Sequence, residues 1–179
     1  MSDTARVKEL ILAGEPLPSG RLTVDDTIDL QYEAGLVVSG KGAAFANRNR
    51  GTWLVWTGAP DRPMFRLTNI AESVFESFLV EAESPLQCAF LSLSDIPKGN
   101  FGRPRFNRWR RVLIHGRMHT EYGWRFEKVD RDAMNSEMTY WDCHTVDVLH
   151  SWHIGHAQSK SHRFFDCEAN SPDIPPGSG

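Results

Sequence analysis

Between Asn69 and Glu83, Ile70, Val74, Phe75, Phe78 and Leu79 recur at i, i+4, i+5, i+8 and i+9, while Glu72, Glu76 and Glu83 fall elsewhere. That spacing predicts an amphipathic helix capped by Asn69, with one face that must pack against another layer. A sheet can supply that layer. Gly51 to Gly58 encloses the run Thr52-Trp53-Leu54-Val55-Trp56-Thr57, and Leu86 to Leu93 lies between Pro85 and Pro97; both read as strands. Met64 to Leu67 is expected to return from the first as a hairpin partner, across the Pro60 and Pro63 turn. Arg111 to His115 and Gly123 to Val129 are expected as two further strands, paired through a connection that carries His119.

Further helices are expected elsewhere. Asp3 or Thr4 precedes Val7, Leu10 and Ile11 at helical spacing, and Gly14 supplies a stop. Thr23 can cap a second helix that ends near Gly35, although Thr27 to Tyr32 also alternates as a strand would. Strands and helices mix without a βαβ rhythm, and neither an internal repeat nor a glycine-rich phosphate loop is evident. The expected fold is a single α+β domain over residues 1–168, a small, mainly antiparallel sheet packed by three or four helices. Residues 169–179, rich in Pro, Gly and Ser, read as a flexible tail.

The net charge of −3 excludes bulk electrostatic coating of nucleic acid or membrane and leaves room only for a local patch. One exists. Residues 96–120 contain Lys98, Arg103, Arg105, Arg108, Arg110, Arg111 and Arg117 and no Asp or Glu, with Phe101, Phe106 and Trp109 interleaved. Guanidinium groups fork onto phosphates and aromatic rings stack on bases, so Lys98, Arg103, Arg105, Phe106, Arg108, Trp109, Arg110, Arg111 and Arg117 form the candidate binding set. The favoured reading is a cytoplasmic nucleic-acid-binding or nucleoprotein-associated protein that uses residues 98–117. The alternative is an adaptor or inhibitor that turns the same arginines against an acidic protein.

All seven histidines lie in the last 65 residues of the chain. If Val146 to His156 is helical, His150, His153 and His156 recur one turn apart and can join Cys143 or Cys167 around a zinc ion. His115 and His119, beside the arginines, are the candidate acid and base of a third reading, a metal-dependent or histidine-based hydrolase. No cofactor is otherwise implied, and binding without catalysis is the preferred expectation. The three cysteines show no CxxC pair or disulfide framework, no apolar run approaches the roughly 18 residues of a membrane helix, and no signal peptide is evident.

Overall fold

The structure, a computed structural model, describes residues 2–43, 50–95, 105–128, 136–155 and 161–170. A helix, α1 (Thr4–Ala13), is followed by β1 (Gly20–Val24), β2 (Ile28–Gln31), β3 (Val37–Ser39), β4 (Thr52–Trp56), β5 (Pro63–Thr68) and β6 (Val74–Ala82). Then come β7 (Leu86–Ser94), β8 (Arg108–Lys128), β9 (Thr139–Trp141), β10 (His144–Ile154), β11 (Arg163–Phe165) and β12 (Glu168–Asn170). Among the described residues every strand pairing is parallel. The chain coils, and each turn lays its strands beside those of the turn before.

Three parallel sheets result. Leu22, Leu54, Val80 and Ile114 stand in register in the first. Ile28, Phe65, Phe90, Trp124 and Trp152 do so in the second, and Val38, Phe75, Trp109, Tyr140 and Phe164 in the third. A turn of the coil takes from 24 residues (Tyr140 to Phe164) to 37 (Ile28 to Phe65). The long strands bend round corners. β6 serves the third and first sheets, β10 the first and second, and β8 all three.

The core is the inside of this coil, and aromatic side chains fill it in two ladders. Phe65, Phe90, Trp124 and Trp152 stack with ring centroids 5.0, 5.8 and 5.1 Å apart. Phe75, Trp109, Tyr140 and Phe164 stack at 5.5, 5.1 and 4.6 Å. Because in-register strands repeat at about 4.8 Å, identical interior positions meet face to face, and burying each such ring is worth roughly 2–3 kcal/mol. The helix α1 packs Val7 and Ile11 inward next to β1 and β2, at the first turn. Asp3 fastens it: its carboxylate accepts from the Thr23 amide at 2.9 Å, and its own amide donates to the Thr23 carbonyl at 2.7 Å.

This architecture corrects the α+β expectation. The only helix among the described residues is α1, and the sheets are parallel, not antiparallel. The expected helix over 70–83 is strand β6, interrupted by Ser77 at φ 62°. Phe75 points inward before that corner, and Phe78 and Val80 point inward after it. A left-handed residue resets the two-residue alternation, and the reset run imitates a helical stripe. The same substitution of strand for helix occurs at 23–35, which holds β2, and at 146–156, where β10 runs to Ile154. Met64 to Leu67 forms no hairpin with β4, since β5 pairs with β2 and β7. Of the strands expected at 111–115 and 123–129, residues 111–115 and 123–128 both belong to β8 and lie in different sheets, and Val129 is outside the described residues.

Corners recur at fixed register. Two residues before each third-sheet strand stand Gly35, Glu72, Phe106, Glu137 and Ser161, all at positive φ. Just after these strands stand Ser77, Arg111, Asp142 and Asp166, again at positive φ. The repeat is therefore one of backbone conformation, and side-chain identity does not announce it. Ala169 and Asn170 lie in β12, so that strand takes in the start of the expected tail; residues 171–179 lie outside the described residues.

Candidate binding cleft on the third sheet

Inward residues of the third sheet alternate with outward ones, so each strand presents two outward positions. One outward column holds Val37, Val74, Arg108, Thr139 and Arg163; the other holds Ser39, Glu76, Arg110, Trp141 and Phe165. These residues, Ser39 apart, line a cleft of about 740 Å³. Arg108, Arg110 and Arg163 are exposed, and among the described residues none of them forms an ion pair. Trp141 and Phe165 stack on each other at 5.0 Å while remaining 53% and 43% exposed. Arg108 and Arg110 are two residues apart on one strand, so their stems leave the sheet roughly 6.6 Å apart, and Arg163 projects two turns further along.

The arginine-rich segment is divided by this geometry. Arg105 and Phe106 form the corner that leads into the cleft: the Arg105 guanidinium lies 5.5 Å from the Phe106 ring and 3.9 Å from the Glu72 carboxylate. Arg111 sits at the far corner, exposed and at φ 49°. Trp109, taken from sequence as a stacking surface, is 1% exposed and belongs to the interior ladder, because alternation sends it to the side opposite Arg108 and Arg110. Arg117 lies on the first sheet's outer side, where it pairs with the fully buried Glu81. Lys98 and Arg103 lie outside the described residues.

Neither candidate catalytic histidine lines the cleft. His115 sits 4.0 Å from the Glu81 carboxylate and 3.4 Å from that of Asp147, within the ionic group that includes Arg117. His119 is exposed in the bend between the first and second sheets. Of the candidate metal ligands, His150 and His153 each place a ring centroid 5.1 Å from that of Tyr122, against the second sheet. Cys143 and Cys167 lie at the corner between the third and first sheets, and His156 is outside the described residues. Among the described residues no three His, Cys, Asp or Glu side chains converge to hold a metal ion.

Compared with protein-family models, with curated proteins and with solved structures, the chain has no match. The residues themselves carry the functional argument.

Cys143 and Cys167 nevertheless come together. The register His144 with Glu168 puts the two cysteines side by side on adjacent turns, and the Glu168 amide donates to the Cys143 carbonyl at 3.1 Å. The Cys143 thiol hydrogen-bonds the Cys167 sulfur, which holds Cys167 down to about 6 and, with burial, pushes Cys143 well above the usual thiol range. Sequence reasoning missed Glu76, Thr139, Trp141, Arg163 and Phe165 as neighbours of Arg108 and Arg110. One signal was present: Tyr140-Trp141-Asp142-Cys143 and Phe164-Phe165-Asp166-Cys167 repeat one pattern 24 residues apart. Among the described residues no helix is long and apolar enough to cross a membrane.

Proposed function

We propose that the third-sheet cleft binds single-stranded nucleic acid. What supports the reading is one observation: three arginines without ionic partners among the described residues stand beside an exposed, stacked Trp141–Phe165 pair. Arginine meets phosphate through paired donors, and aromatic side chains accept bases without regard to sequence. A continuous duplex is a poorer fit, because its bases are stacked on one another and turn only their edges to a protein. Binding without cleavage is the reading kept for this site; His115 and His119 are not among its lining residues. A reducing, cytoplasmic setting suits the three free thiols.

Fluorescence anisotropy with a labelled single-stranded oligonucleotide tests the proposal. Engagement of three phosphates gives a log–log salt slope of about −2, and the combined change Arg108→Glu, Arg110→Glu and Arg163→Glu lowers affinity about a hundredfold while circular dichroism stays unchanged. Affinity equal to that of the unmodified protein overturns the reading. Loss of binding with a salt slope near zero, or capture of one acidic protein that survives nuclease, transfers the cleft to the adaptor reading.

A further inference from the structure

We propose that Cys167 and Cys143 form a thiol–disulfide exchange site, with Cys167 as the attacking thiolate and Cys143 as the resolving thiol. Each follows a left-handed aspartate, Asp142 at φ 51° and Asp166 at φ 51°, so the same corner is built twice and the second cysteine lands on the first. In-register residues of neighbouring parallel strands lie about 4.8 Å apart at Cα, inside the 4.4–6.8 Å range that a disulfide spans. Backbone movement is not required. Each thiol donates to the carbonyl two residues before it, Cys143 to Trp141 at 3.5 Å and Cys167 to Phe165 at 3.3 Å, so the two side chains leave their corners in the same way.

Their exposures differ in the sense that exchange needs. Cys143 is buried, whereas Cys167 keeps contact with solvent and donates only to the Phe165 carbonyl at 3.3 Å. His144, next to Cys143, is held by Asp142 at 2.8 Å and Glu168 at 3.4 Å, and in its protonated form it favours the Cys167 thiolate; Tyr140 is a further titratable neighbour. Cys88 takes no part, being buried in the second sheet.

The oxidant is a low-molecular-weight disulfide of the glutathione class. The Cys167 thiolate attacks one of its sulfurs, forming a mixed disulfide and expelling one thiolate. The Cys143 thiol then attacks the Cys167 sulfur, its proton passing to the leaving group; the Cys143–Cys167 bond forms, the mixed disulfide breaks and the second small thiol departs. Two protein thiols are oxidised and one small disulfide is reduced to two thiols.

Oxidised glutathione is the probe, and peptide mapping under non-reducing conditions is the readout. The expected product of the unmodified chain joins the Cys143 peptide to the Cys167 peptide and leaves Cys88 alkylatable. Cys143→Ser is expected to stop at a glutathione adduct on Cys167, and Cys167→Ser to yield neither adduct nor bridge. Should Cys143→Ser not fold, the map of the unmodified chain and the Cys167→Ser variant decide the matter alone. A persistent adduct on Cys167 in the unmodified chain, a bridge to Cys88, a bridge between two chains, or no reaction at Cys167 overturns the assignment.

Discussion

The outer faces of the second and third sheets are built by the same rule and end with different electrostatics. On the second, a cleft of about 400 Å³ is lined by Arg66 and Arg125 against Asp95 and Glu127, two charges of each sign. Arg66 also lies 3.8 Å from Asp29, Arg125 pairs with Glu127 and packs 4.9 Å from the Tyr122 ring, and Asp95 accepts from the Tyr32 hydroxyl at 3.1 Å. On the third, Arg108, Arg110 and Arg163 face Glu76, three charges against one. A face whose ions are matched gains little by binding another ion. The face with two uncompensated positive charges gains a partner's anions at small desolvation cost, and an arginine count per segment does not distinguish the two cases.

The comparison holds only if the third sheet divides cleanly into a structural inside and a free outside. Trp109→Ala tests the inside and carries the largest expected effect. It removes an indole stacked between Phe75 and Tyr140, which costs about 3–5 kcal/mol in urea unfolding. Arg110→Glu, on the neighbouring residue, should stay within about 0.5 kcal/mol. A loss below about 1 kcal/mol for Trp109→Ala would break the division, because the ring would then lie at a surface.

Oxidation of the cysteine pair sharpens the contrast at the far end of the cleft. Arg163 and Phe165 belong to the last described turn, which Cys167 joins to the turn before. Closing the loop from Cys143 to Cys167 should stabilise the chain by about 3 kcal/mol, with a matching rise in the urea midpoint that dithiothreitol reverses. An unchanged midpoint in fully bridged protein would mean that this turn is already as fixed as the rest. Next in size comes a swap of faces. Arg66→Glu with Arg125→Glu should leave oligonucleotide affinity within about twofold, whereas the triple change on the third sheet should lower it by about a hundredfold, or about 2.7 kcal/mol. Equal losses from both faces would erase the comparison, since net charge alone would then explain binding.

Local signals explain what the sequence disclosed. The helix α1 was legible because Val7, Leu10 and Ile11 are spaced for it and Gly14 ends it at φ 70°; the runs at 52–56 and 86–94 were legible as strands. The coil was not, because its repeat lies in left-handed corners filled by Ser77, Arg111, Asp142 and Asp166, and only the last two share a side chain. Arg108 and Arg110 were legible as charge, but their neighbours Thr139 and Arg163 lie 31 and 55 positions beyond Arg108, and only parallel stacking unites them. Trp109 was placed with the arginines because composition ignores alternation.

The smallest effect concerns two thiols on the two sheets. Cys88, inside the second sheet, is pushed well up by burial, and Cys167, beside the third, is held down to about 6 by the Cys143 thiol. Iodoacetamide should therefore label Cys167 first, at a rate that rises about tenfold from pH 5 to pH 7 and then levels, while Cys88 reacts only as the chain unfolds. The shift also couples to stability. A thiol whose folded value lies below its unfolded value of about 8.5 contributes stability that is fully present above 8.5 and is lost as pH falls through about 6. Cys143 is shifted the other way, so its contribution is present below about 8.5 and is lost at higher pH. Cys143→Ala removes both shifts at once, because no side-chain donor then remains beside Cys167; labelling of Cys167 should then climb only towards pH 8.5. If the climb stays near pH 6, His144 and not Cys143 sets the reactivity of the third sheet's thiol.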